Sequence, residues 1–314
     1  MFRSITCLAG GVGAARFLDG LARTYPPDRI TVIVNTGDDL EYLGEYISPD
    51  LDIVTYTLAG VVDDEKGWGI KGDTYHCIEQ LERYSAETWF RIGDKDLATH
   101  LLRTAFLQQG FSLAEVTEKI RTSLGVKVRI LPMSNDRVAT KIKTSAGLLE
   151  FQEYFVKRKF ADKVQDVSYE GANHAVPAEG VLHALKKSDV IILCPSNPIL
   201  SIFPILAIPG IRESLGQAMG KIVGVSPIVG GKALKGPLGR IMNDLGLEVS
   251  PYGVARLYKG VLDGFVIDDV DRASSSKISS LGMKVAATHT IMNTPEAKVR
   301  LAEETVKLAE SIRK

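Results

Sequence analysis

The sequence predicts an α/β fold: a mostly parallel sheet with helices on both faces and a helical subdomain inserted at about residues 63–126. Three observations carry that prediction. Short apolar, β-branched runs alternate with stretches of helical periodicity, the pattern of strand–helix–strand units. The chain opens with such a unit, joined by a glycine cluster. From Thr74 to Leu124 helical spacing continues with no strong strand to interrupt it.

The first unit runs from the apolar stretch Ile5 to Leu8, through Gly10-Gly11-Val12-Gly13, into a helix whose buried face is marked by Phe17, Leu18 and Leu21. Three glycines in four positions let the backbone turn tightly and approach a ligand. The helix N-terminus beyond them offers free N–H groups and partial positive charge, which suit a phosphate. Arg16, one turn in, adds a cation. The spacing excludes two familiar sites. A P-loop needs Lys-Ser/Thr after its last glycine, where this chain has Ala14-Ala15, and a dinucleotide fingerprint wants Gly or Ala where this chain has Arg16.

Ile30 to Val34 is the second strand and ends in Asn35-Thr36-Gly37-Asp38-Asp39. In a parallel sheet ligands collect at the carboxyl ends of strands. Paired carboxylates there, beside a phosphate loop, suit a hard cation such as Mg²⁺; an Asx-rich turn is the alternative. Ser48-Pro49-Asp50-Leu51-Asp52 alternates as a short extended segment would, with Asp50 and Asp52 on one side. Asp63 to Asp73 reads as a Gly-rich loop carrying Trp68, an aromatic placed to stack on a flat ring or to cap the core.

Three helices follow. Tyr75, Ile78, Leu81 and Tyr84 mark the first, and Leu97, Leu101, Leu102, Ala105 and Phe106 the buried face of the second. Asp94 or Asp96 caps that second helix, and Asp94, Lys95, Asp96, His100 and Arg103 read as its solvated, salt-bridged face. Ser112 to Glu115 is a capping box opening the third. The sheet resumes at Val128 to Pro132. Val138 to Lys143 and Leu148 to Phe155 pattern as a hairpin, Ala178 to Lys186 as a helix and Val190 to Leu193 as a buried strand. The last ends in Cys194-Pro195-Ser196-Asn197-Pro198. The strand Ile222 to Val225 ends likewise in Ser226-Pro227-Ile228-Val229-Gly230-Gly231-Lys232, with Lys235 following, and these glycines with Lys232 and Lys235 make a second phosphate or nucleotide contact. A helix at Gly253 to Tyr258, a strand at Gly264 to Asp268 and a helix at Ala297 to Ile312 complete the chain.

The 314 residues are read as one domain, 1–314, able to bury a sizeable core. With 38 Lys+Arg against 38 Asp+Glu there is no charge bias toward nucleic acid or an anionic membrane. No apolar run is membrane-spanning in length and no secretory leader is visible, so a cytoplasmic location is expected. Cys7, Cys77 and Cys194, odd in number and far apart, read as reduced thiols.

Six loops, taken together and in order, resemble one family. They are Gly10 to Gly13, Asn35 to Asp39, Pro49 to Asp52, Gly93-Asp94-Lys95-Asp96-Leu97-Ala98-Thr99-His100, Pro195 to Pro198 and Ser226 to Gly230. The chain is similar to the 2-phospho-L-lactate transferases of coenzyme F-420 biosynthesis from its first strand to at least Pro237. The resemblance implies a Rossmann-like core, Mg²⁺ dependence and homodimers. It implies small-molecule substrates: a guanosine diphosphate-activated hydroxy acid carrying lactate, enolpyruvate or glycerate, and a deazaflavin, 7,8-didemethyl-8-hydroxy-5-deazariboflavin. The terminal ribityl hydroxyl accepts the phosphoryl-acid part and GMP leaves. On this reading Asp39 and Asp50 are catalytic and bind Mg²⁺ with Asp52. Gly10, Gly11, Val12, Gly13, Arg16, Ser196, Asn197, Ser226, Gly230 and Lys232 meet the donor. Asp50, Trp68, Asp94, Lys95, Asp96 and His100 meet the deazaflavin. Relatives often carry Arg where this chain has Lys95, which supplies charge without a bidentate fork. A related branch of the superfamily binds nucleotide-sugars as regulators and shares the glycine loop. The acceptor-side stretch Gly93 to His100 and the paired Asp clusters favour the transferase. An NAD-dependent oxidoreductase is disfavoured by the missing third glycine position and by the lack of a lone acidic residue placed for a ribose.

Overall fold

The computed structural model describes residues 2–312. It begins with β1 (Ile5–Ala9), α1 (Gly11–Thr24), β2 (Ile30–Val34), the short hairpin β3 (Leu40–Tyr42) and β4 (Glu45–Ile47), and α2 (Pro49–Leu58). Then come α3 (His76–Arg83), α4 (Asp94–Gln108), α5 (Leu113–Ser123) and β5 (Arg129–Pro132). A small antiparallel sheet follows, made of β6 (Ala139–Thr144), β7 (Gly147–Glu150) and β8 (Val164–Glu170). The second half holds α6 (Val181–Lys187), β9 (Val190–Leu193), α7 (Phe203–Leu206), α8 (Ile211–Gly216), β10 (Lys221–Val225), and the pair β11 (Ile228–Val229) and β12 (Lys232–Ala233). It ends with α9 (Leu238–Asp244), α10 (Pro251–Leu257), β13 (Gly264–Asp268), α11 (Ser275–Ser279), β14 (Lys284–Thr288) and α12 (Pro295–Ser311).

Seven strands form one parallel sheet in the order β14-β13-β10-β9-β1-β2-β5. Its strands are apolar on both faces, as a sheet covered twice must be. Ile5, Cys7 and Ala9 of β1 pack with α1, α2 and α12, while Leu8 packs with the opposite layer of α6, α8 and α10. From β1 the chain order runs one way to β2 and β5 and the other way to β9, β10, β13 and β14. The order therefore reverses between β1 and β9, and in open α/β sheets the carboxyl ends of the strands at such a point are where ligands collect.

Four expectations are corrected. The segment from Pro49 is helical, because Pro fits the first helical position and acids favour the first turn. The second hairpin strand stops at Glu150, and the chain coils into a π-turn at Glu153–Lys157. Neither Asp94 nor Asp96 caps α4. Gly93 holds that position, and Asp73 accepts from the N–H groups of Lys95 and Asp96 at 2.8 and 3.1 Å. Asp94 instead accepts from the N–H groups of His76 and Cys77, so it caps α3. Finally, α4 is turned over: His100 and Arg103 are buried, while Leu101 and Leu102 are 50% and 44% exposed. Ion pairing beneath the helix decides this, as the site shows. The capping box at Ser112 and Glu115 forms as expected. All three cysteines are free, Cys7 and Cys194 buried and Cys77 exposed. Among the described residues no helix is long and apolar enough to cross a membrane.

Candidate active site

The glycine loop lies at the carboxyl end of β1, at this point of reversal. Gly11 opens α1 at φ +74°, a backbone state that side chains resist. At Gly13 a Cβ would stand 2.3 Å from the Pro195 carbonyl oxygen, so this glycine lets α1 approach the loop after β9. The N–H of Gly11 donates to Asp50 Oδ1 at 2.7 Å, and Asn35 Nδ2 donates to Asp50 Oδ2 at 2.9 Å. A carboxylate from the first turn of α2 thus sits on the N-terminus of α1.

Asp39, on the loop after β2, accepts from Ser48 Oγ at 2.7 Å and from the Tyr46 hydroxyl at 2.9 Å, with the charges of Arg103 and Asp52 near enough to be felt. Asp38 is buried as well, and its Oδ1 has no hydrogen-bond partner. All three carboxyls are raised above their ordinary values. Burial raises Asp50 to about 6, although Asn35 and Gly11 oppose it. Burial raises Asp39 to about 8 against the hydrogen bonds from Ser48 and Tyr46. Burial raises Asp38 as well, helped by the charges of Asp50 and Asp39. Acids crowded out of water without a matching cation favour the proton, or a metal ion, that neutralises them.

The neighbouring acids behave differently. Asp52, two residues after Asp50 on α2, faces away from it. Both its oxygens accept from the Arg103 guanidinium, and His100 Nδ1 lies 3.7 Å from it. His100 Nε2 is 3.5 Å from Asp96, which also accepts from the Tyr56 hydroxyl at 2.8 Å. Burial pushes the Asp96 carboxyl up, but His100 and Tyr56 more than offset it and the net shift is downward. One ligand atom from each of Asp52, Asp96 and His100 lies within 4.8 Å of the others, a spacing a metal can bridge. Arg103 already satisfies Asp52, so this cluster is ion-paired rather than open. Of the three acids grouped from the sequence, Asp52 is held by Arg103 and lies near enough to Asp39 for their charges to interact, while Asp38, which the sequence grouping left out, feels the charges of both Asp39 and Asp50.

Most remaining sequence-picked residues are engaged within the protein. Ser196 Oγ accepts from the Gly10 N–H at 3.3 Å, and Asn197 Oδ1 caps Ile199 and Leu200. Ser226 Oγ closes its own turn on Ile228. The Gly230 N–H donates to Asp271 at 2.9 Å, and Lys232 is exposed on β12. Lys95 Nζ donates to the carbonyls of Lys71 and Gly72, tying down the loop that carries Trp68. Trp68 is 42% exposed, under the Lys66 ammonium at 5.9 Å from the ring centroid. Asp38 and Asp39 also border a cavity of about 470 Å³, walled by Trp89 and Phe151 and rimmed by Arg137 and Lys157. Sequence reasoning passed over Trp89 and Arg137, which carry no motif. Only their convergence on Asp38 and Asp39 marks them.

A sequence profile described as "2-phospho-L-lactate transferase CofD" matches residues 5–305. The chain belongs to this transferase family. A 2-phospho-L-lactate transferase of Methanocaldococcus jannaschii is 42% identical, the match covering 98% of this chain and 99% of that one. A phosphoenolpyruvate transferase of Streptomyces griseus is 41% identical, with the same coverage. The fold of a Bacillus halodurans protein of the UPF0052 family superposes with a TM-score of 0.63 at 18% identity, over 98% of this chain and 99% of that one. As a 2-phospho-L-lactate transferase family member the chain is a transferase of coenzyme F-420 biosynthesis.

Proposed function

We propose that the protein transfers a phospho-hydroxy-acid group from its guanosine diphosphate-activated form to the terminal ribityl hydroxyl of the deazaflavin, releasing GMP. The observation that carries this reading is the trio of buried, raised carboxyls, Asp38, Asp39 and Asp50, set against the N-terminus of α1. The unpartnered Oδ1 of Asp38 and the all-oxygen donor set fit Mg²⁺, a hard cation. Asp38, Asp39 and Asp50 would hold it. When bound, such an ion neutralises phosphate charge and polarises the phosphorus under attack.

The chain's own groups do the rest. Gly10 to Gly13 and Arg16 bind the donor's phosphates at the start of α1. The hydroxyl oxygen of the acceptor forms a bond to the acid-bearing phosphorus. The bond from that phosphorus to the bridging oxygen breaks, and its electron pair leaves with GMP. Asp39 or Asp50 takes the hydroxyl proton. The loops bearing Ser196, Asn197, Ser226, Gly230 and Lys232 border the guanosine. Asp94, Lys95, Asp96 and His100 shape the acceptor side, through the folding of α4 and its neighbours rather than by direct contact, and Trp68 covers the ring. A homodimer, implied by the resemblance, is checked by light scattering.

The deciding experiment is mass spectrometry of purified protein with Mg²⁺, the deazaflavin and lactyl, enolpyruvyl and glyceryl guanylylated donors. A phospho-acid adduct with stoichiometric GMP establishes the reaction and identifies the donor. Folded protein that forms no adduct, yet shifts its melting point with UDP-sugars, is a nucleotide-sugar binder instead.

A further inference from the structure

Three segments meet over the first turn of α1, and two of them bring uncompensated positive charge. Lys235 belongs to the loop between β12 and α9. Its Nζ lies 3.0 Å from where a Cβ at Gly67 would stand, and Val12 Cγ1 lies 3.7 Å from the same point. The ammonium of this exposed lysine therefore lies between the Trp68 loop and the start of α1. Arg16, half-buried one turn along α1, is near enough that its charge, after partial burial, pushes the Lys235 pKa down. Among the described residues neither cation forms an ion pair, whereas Lys66 and Lys298 each hold an aspartate. The first-turn N–H groups of a helix lack intrahelical partners, and Asp50 takes that of Gly11. Two like charges beside a helix N-terminus repel one another and the helix dipole, and an anion between them relieves both.

We propose that Lys235 and Arg16 form a two-cation clamp on the guanosine-side phosphate of the donor, the group that leaves. The assignment rests on the transferase reading above and follows from charge. As the bond to the bridging oxygen breaks, negative charge grows on the leaving phosphate. The acids Asp38, Asp39 and Asp50 cannot stabilise that charge directly; a fixed ammonium and guanidinium can. Gly67 itself is required by its left-handed backbone, φ +77°, and its bare Cα leaves room for the Lys235 ammonium beside it. Closure of the Trp68 loop and placement of the cation are thus one arrangement. Lys232, closer to the glycines Gly230 and Gly231 in sequence, is not the residue the fold brings to α1.

The test is calorimetric titration with inorganic diphosphate and with GDP at fixed Mg²⁺, alongside transfer kinetics. Lys235→Met and Arg16→Met should each weaken both ligands about tenfold, the scale of one charge-assisted contact. Lys235→Arg should recover most of the loss, and Lys187→Met, an exposed lysine of α6 beside the amino end of β9, should change nothing. Lys235→Met should also lower kcat more than it raises the donor KM, since the charge it meets grows during reaction. The melting point should hold, because Lys235 is exposed and pairs with no described acid. Wild-type diphosphate affinity in Lys235→Met, or an equal loss in Lys187→Met, overturns the clamp. Lys235-dependent diphosphate binding in a protein that forms no adduct keeps the clamp and discards the transferase reading. Wild-type adduct formation by Lys235→Met does the reverse.

Discussion

Two acidic clusters lie within a few residues of one another, and they differ in the balance of charge: Arg103 forks directly onto Asp52, whereas Asp39 feels that guanidinium only through space and, among the described residues, no cation forms an ion pair with Asp38, Asp39 or Asp50. Asp52 is buried and Asp96 half-buried against Arg103 and His100, and the Asp96 carboxyl is held below its ordinary value. Asp38, Asp39 and Asp50 are buried but are met by hydroxyls, an amide and a backbone N–H, and all three are raised. The paired cluster is balanced in charge, although His100 Nε2 and Arg103 Nε have no hydrogen-bond partner among the described residues, and it ties α4 to α2. The unpaired cluster is costly as it stands and is relieved only by something it binds. Burial of acids therefore says little about function until the balance of charge around them is counted.

The sharpest break of this comparison removes the counter-charge. Arg103→Met leaves Asp52 buried beside Asp96 with no guanidinium, and should cost about 3–5 kcal/mol in denaturant unfolding. A loss below about 1 kcal/mol would mean that the pair contributes little and that something else fixes α4. Substitution in the other cluster should do the opposite. Asp39→Asn should lower transfer by about 100-fold while leaving the metal-free protein as stable or more so. The pH dependence follows with a definite sign. Asp39 and Asp50 bind protons more tightly folded than unfolded, up to about 8 and 6. Stability of the metal-free protein should therefore fall as pH rises from about 4 to 8. Mg²⁺ should flatten that fall, and Asp39→Asn should reduce it. A melting point that climbs with pH over this range without metal would contradict the assignment. The smallest effect belongs to Trp68. Trp68→Ala should change stability by about 0.5 kcal/mol or less, since the ring is largely exposed. It should raise the deazaflavin KM about tenfold if the ring covers the acceptor. An unchanged KM turns attention to Trp89 in the cavity beside Asp38 and Asp39.

The sheet was legible because burial on both faces demands continuous apolar runs, and Ile5 to Leu8, Ile30 to Val34 and Val190 to Leu193 are such runs. Glycines 10, 11 and 13 and the acids at 38, 39 and 50 were legible for a related reason: a tight turn and a charged strand end are local properties. The orientation of α4 was not. Its leucines and its charged residues each repeat at helical spacing, and periodicity alone assigns the apolar set to the core. The reversed outcome depends on Asp52, which lies 51 residues away from Arg103. The grouping of Asp50 with Asp52 failed because two residues along a strand face one way, whereas two along a helix diverge.

The sequence by itself determined the strands, the glycine turn, the family and the presence of acids at the carboxyl ends of strands, all consequences of local backbone and burial requirements. Only the tertiary structure decided which acids share a site, which are already paired, and that Lys235 reaches α1. Those outcomes depend on charges brought together from distant segments, and electrostatic energy depends on distance and dielectric surroundings that no local pattern encodes.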